Sequence, residues 1–131
     1  MTTRLTPEVA LAYVRELSTD YRAGIVLNGA LEPIAGDLGL AEAARALFEG
    51  HPEARELHAG PVFAARGQEH AIVVVTGEFA LQHLARGDIR TALSGLGEQN
   101  AQETPLERPR EALVKALVTA AADVFRRPRA V

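Results

Sequence analysis

The sequence predicts an α/β domain of the α+β kind, an antiparallel sheet with helices on both faces. Three observations carry this. Helix-like and strand-like segments follow one another as α-β-β-α-β-β-β-α, with one further helix appended. Ala71 to Val75 is an apolar run without alternation, the pattern of a strand buried on both faces and therefore central. Asn28-Gly29 between two apolar runs marks a hairpin, which joins neighbouring strands antiparallel.

The first helix begins at Thr6, an N-cap, with Pro7 at the first helical position and Glu8 in the first turn. Ala10, Val14, Leu17 and Tyr21 then recur at helical spacing. Ala23 to Leu27 and Ala30 to Ile34 are the hairpin strands, and Asn28-Gly29 suits a type I′ turn. Pro33 cannot donate to a ladder, so the second strand belongs at an edge. A second helix spans about Leu40 to Glu49, stopped by Gly50 and Pro52. Strands at Ala54 to Ala59, Val62 to Arg66 and His70 to Thr76 follow. Leu81 to Leu96 marks a third helix that Gly87 weakens by about 1 kcal/mol relative to Ala and can divide. Ser94 to Thr104 reads as a linker, and Pro109 to Arg126 as a last helix ending in the basic tail Arg126-Arg127-Pro128-Arg129, a solvated end.

Composition narrows the function. The chain has 131 residues, enough for one core and too few for two ordinary domains. A formal net charge of −3, with no basic stripe, argues against a nucleic-acid partner. Thirteen arginines against the single Lys115 is the usage of a GC-rich bacterial genome. There is no cysteine, which removes disulfides, thiolate catalysis and cysteine-ligated metals. No apolar stretch approaches the roughly 20 residues of a membrane span, and no apolar run follows a basic patch at the N-terminus. No membrane insertion is expected, and the expected compartment is the cytoplasm.

No catalytic constellation emerges, so the chain reads as a non-enzyme without cofactor or metal. Ser18 and Ser94 sit in no nucleophile elbow. Gly36-x-x-Gly39 lacks the Lys and Ser/Thr of a phosphate loop. His51, His58, His70 and His83 are scattered, although His58 and His70 could meet if their strands were neighbours. Glu53 with Glu56, and Glu42 with Glu49, read as solvated faces. In the second helix, Ala43, Ala44 and Ala46 make a small-surfaced stripe that permits close helix approach, with Leu47 and Phe48 adding apolar area; taken alone, the stripe reads as core packing.

Three segments resemble the roadblock family, the dynein-light-chain-type domains with many bacterial members. Tyr13 to Leu27 is similar to that family's opening helix and first strand. Asn28-Gly29 with Pro33-Ile34-Ala35 is similar to its tight turn and second strand, and His70 to Val75 with Leu81 to Leu93 to its central strand and closing helix. The resemblance covers about residues 7 to 96. It divides the chain into a roadblock-like domain, 1–97, and a linker with a C-terminal helical extension, 98–131. Asn28 stands where the family usually has an acidic residue, and the helix beyond Pro109 lies outside the domain.

The resemblance implies a five-stranded antiparallel sheet in the order 2-1-5-4-3, with the first and third helices on one face and the second on the other. It also implies dimers that pair third strands and pack second helices together, and platforms for small Ras-like GTPases or other proteins. A homodimer interface is then expected at Leu40, Ala43, Ala44, Leu47, Arg55 and Leu57, where the strand Ala54 to Ala59 would offer an open edge. The alternative is a small-ligand sensor of the PAS or GAF kind. A sensor needs a cavity with convergent polar groups, whereas the inner positions here are Val, Ile, Leu and Ala.

Overall fold

Thr6 caps the first helix as its chemistry requires: Thr6 Oγ1 accepts the Val9 N–H at 3.2 Å, and Pro7 supplies the first turn. The computed structural model describes residues 4–98 and 106–126. Its elements run α1 (Pro7–Leu17), β1 (Tyr21–Asn28), β2 (Pro33–Gly36), a 3-10 turn (Leu38–Leu40), α2 (Ala41–Gly50), β3 (Glu56–Ala59), β4 (Val62–Arg66), β5 (His70–Thr76), α3 (Gln82–Gly95), β6 (Leu106–Glu107) and α4 (Glu111–Arg126). Gly87 does not divide α3; nothing crowds it, and the helix runs through.

The sheet order is β2-β1-β5-β4-β3-β6. Its first five strands reproduce the expected antiparallel order, with β2 at one edge and β5 in the middle. The expected count of five is corrected to six. β6 lies parallel to β3, with Leu106 opposite Glu56 and Glu107 opposite Leu57. A two-residue strand carries no periodicity, so nothing in the sequence announced it.

The hairpin turn also differs from the type I′ expectation. Asn28 Oδ1 accepts the N–H groups of Ala30 and Glu32, both at 2.9 Å, and Leu31 takes the left-handed conformation at φ 62°. The Asn side chain thus organises a longer loop by bonding forward along its own backbone. At the far end of β2, Gly36 has φ 97°, and a Cβ there would run into the Gly24 carbonyl.

Strand alternation sorts the core into two layers. Ile25, Leu27, Ala64, Val73 and Val75 point to one face; Val26, Phe63, Ala65, Ile72 and Val74 point to the other. The second face is covered by α1 through Ala10, Leu11 and Val14 and by α3 through Ala85, Ile89 and Ala92. The first is covered by α2 through Ala44, Leu47 and Phe48 and by α4 through Leu117 and Ala121. Helices therefore lie on both faces, with α1 and α3 together and α2 opposite. Leu117 is fully buried, which is worth about 1.5–3 kcal/mol relative to exposure. The division expected between residues 97 and 98 thus runs through one continuous apolar layer, because α4 belongs to it.

Candidate functional site

The six residues expected at an interface separate once the chain is folded. Leu40, Ala44 and Leu47 are fully buried, Leu57 is 1% exposed, and all four face the layer that α4 completes. Ala43 is half-buried and packs against that layer; Arg55 alone is exposed. The stripe is used for core packing, and its neighbour is α4 of the same chain. The close approach allowed by small residues is used there too. Leu113 reaches Gly50, and Val124 reaches Gly39, so closely that a Cβ on either glycine would collide with it. The expected open β3 edge is closed over half its length, since β6 pairs with Glu56 and Leu57.

A histidine ties this cover down. His51 follows α2, and its Nε2 accepts the Arg110 backbone N–H at 3.1 Å, just before α4. Its Nδ1 lies 3.5 Å from the Glu107 carboxylate on β6. The tautomer with its proton on Nδ1 satisfies both contacts at once. One side chain at the C-terminus of α2 thus holds both pieces of the segment beyond residue 105.

On the other face, β3 carries charge instead of apolar bulk. Glu56 is 5% exposed, contrary to the expectation of a solvated face. Its Oε1 accepts from Arg86 Nε at 2.6 Å and lies 3.4 Å from Arg90 Nη2. Arg86 and Arg90 are one helical turn apart on α3, so both reach the same carboxylate. That i, i+4 pair was the available signal, but it needed the strand order to give it a partner. His58, beside Glu56, stacks on Phe63 at 4.3 Å between centroids, and burial pushes its pKa down.

His58 and His70 do not meet, because β4 lies between their strands. His70 Nδ1 instead bonds Glu98 at 2.9 Å, and Glu98 also accepts the N–H groups of Gln68 at 2.6 Å and Glu69 at 3.0 Å. Burial pushes the Glu98 pKa up, but these donors outweigh it and hold the group below the ordinary carboxylate range. Glu69, His70 and Glu98 bring three ligand-type atoms within 4.8 Å of one another. With three N–H groups already on Glu98, the cluster acts as a clamp on the β4–β5 turn.

The opposite end of β5 is apolar and exposed. Phe79 is 71% exposed, Leu81 54% and Leu84 57%, on the loop into α3 and its first turn. Asp20 anchors that loop by accepting the Phe79 N–H at 3.0 Å. A cleft of about 440 Å³ adjoins it, lined by Pro61, Phe63, Gly77 and Ala80 among others. None of the described helices is long and apolar enough to cross a membrane. The tail residues 127–129 lie outside the described residues.

No family model matches the chain, and no curated protein does. Among solved structures it is similar to a Roadblock/LC7 domain from Streptomyces avermitilis, with a TM-score of 0.54 and 9% identity, over 72% of this chain and 95% of that one. The fold is therefore of the roadblock type. Nearly the whole of that domain is matched, while a quarter or so of this chain lies beyond the match.

Proposed function

We propose that this chain is a non-catalytic protein-interaction module of the cytoplasm, with a small Ras-like GTPase as the partner class to test first. The observation that carries the reading is the roadblock-type fold, present almost in full. The exposed Phe79, Leu81 and Leu84 supply apolar area for a partner without unfolding anything. The PAS or GAF alternative gains no support from the described core, whose layers are filled by Val, Ile, Leu, Ala and Phe side chains. The test is capture of purified small GTPases, each loaded with GDP or a non-hydrolysable GTP analogue. Binding in one nucleotide state, lost in Phe79→Ser, is the expected result. Equal capture by wild type and variant would move the docking surface elsewhere, and no capture in either state would remove the GTPase.

A second reading keeps the homodimer. Among the described residues, no strand pairs with the outer side of His58 and Ala59, so half of β3 retains an edge. Self-assembly through Leu40, Ala43, Ala44, Leu47, Arg55 and Leu57 then requires α4 and β6 to leave their places. Light scattering over a concentration series decides this. A monomer mass throughout removes the reading, and a dimer whose hydrogen exchange is fast in α4 supports it.

A further inference from the structure

At the end of the sheet where the β1–β2 loop meets the β4–β5 turn, a cavity of about 300 Å³ opens between Arg55, Arg66, Glu53, Gln68 and His70. Its lining is mainly polar. The antiparallel register that pairs Glu56 with Ala65 carries on to Arg55 and Arg66, whose N–H donates to the Arg55 carbonyl at 2.9 Å. Two arginines thus face each other across the strand pair, like charges that repel. Among the described residues, neither has a carboxylate at ion-pair distance. Glu53 acts on Arg66 only from farther away, while burial and the charge of Arg55 pull the Arg66 pKa down.

Arg66 is also fixed in place. Its Nε donates to the Ala54 carbonyl at 3.1 Å, its Nη2 donates to the Pro52 carbonyl, and its plane lies over the Phe48 ring at 5.4 Å. A held guanidinium loses little further freedom when it meets a ligand. The floor is held as well, because Glu98 clamps Gln68 and Glu69 and the Gln68 carbonyl packs against Gly29.

We propose that this cavity binds a small oxyanion, inorganic phosphate or a short phosphate ester, between Arg55 and Arg66. An anion placed there converts a repulsive cation pair into two charge-assisted contacts, for which guanidinium is the best-suited side chain. The volume sits at the lower end of ligand pockets, which suits a phosphate group better than a nucleotide. Glu53 on the lining and Glu98 behind the floor are the carboxylates an anion must work against.

The probe is inorganic phosphate added to the isotope-labelled full chain at constant ionic strength, with chloride as control. Saturable shifts at the amides of Arg55, Arg66, Gly67 and Gln68 are expected, with Phe79 to Leu84 unmoved. Arg55 is exposed, so Arg55→Gln leaves the packing alone; it weakens binding about tenfold or more, a change of about 1.4 kcal/mol. Glu53→Gln strengthens it. Shifts that never saturate, that match chloride, or that persist unchanged in Arg55→Gln overturn the site.

Discussion

On one face of the sheet, α1 and α3 close over Val26, Phe63, Ile72 and Val74; on the other, α2 shares Ile25, Val73 and Val75 with α4. The strands are the same, and β5 serves both layers with alternate side chains. The covers differ in origin. α1 and α3 both fall in the part of the chain that resembles a roadblock domain, whereas α4 comes from beyond it. One face is thus covered by helices from the first hundred residues, and the other is finished by a helix that comes later in the chain. An apolar stripe on a helix reports that something covers it; it does not report whether that cover is another molecule or a later part of the same chain.

The sharpest way to break this comparison is Ala44→Arg. On a free interface it would spare the fold. In a fully buried position it strands a charge without a partner, at a cost of about 3–5 kcal/mol. Loss of cooperative urea unfolding is expected, and a variant with the wild-type midpoint would put Ala44 back on the surface. Next in size are Leu117→Ala and Ile89→Ala, one for each face, each expected to cost about 2–5 kcal/mol because both side chains are essentially buried. Should Ile89→Ala fall in that range while Leu117→Ala costs under about 1 kcal/mol, α4 is a loosely docked arm and not a core helix. Val73→Ala and Val75→Ala follow, at about 1–3 kcal/mol each; wild-type midpoints would contradict the central place of β5.

The smallest effect is one of pH, and it falls on the α1–α3 side, where His58 stacks on Phe63 and Glu98 follows α3. His58 has a lowered pKa, so the unfolded chain takes up its proton first, and stability declines as pH falls below about 6.5. Glu98 is also lowered; its contribution is present above about pH 4.3 and is lost as pH falls through the folded value. Glu98→Gln is expected to cost about 1 kcal/mol or less at neutral pH and to flatten only the lower part of the acid limb. An unchanged acid limb in that variant, followed by urea midpoints, would show that the clamp contributes nothing.

Much of the fold was legible because single residues force it. Thr6-Pro7 can hardly do anything but start a helix, Pro33 had to sit at an edge, and the unalternating run in β5 had to be central. β4 and β5 have the limits their patterns suggest, Val62–Arg66 and His70–Thr76. What could not be read depends on neighbours distant in sequence. Glu56 looks like any surface acid until β3 lies beneath α3, and Leu47 looks like an interface residue until α4 lies beside it. Local chemistry was misread at Asn28, where a side chain with two N–H partners outweighed the turn that Asn-Gly usually makes, and at Leu17, which ends α1 exposed.

The position of α4 also sets an order of events during synthesis. Every strand from β1 to β5, and both helices of the α1–α3 face, leave the ribosome before α4 exists. At about 5–20 residues per second, the growing chain spends some seconds with Ile25, Val73 and Val75 only half covered. In that interval the nascent chain exposes apolar surface of the aggregation-prone kind, which the arrival of α4 covers.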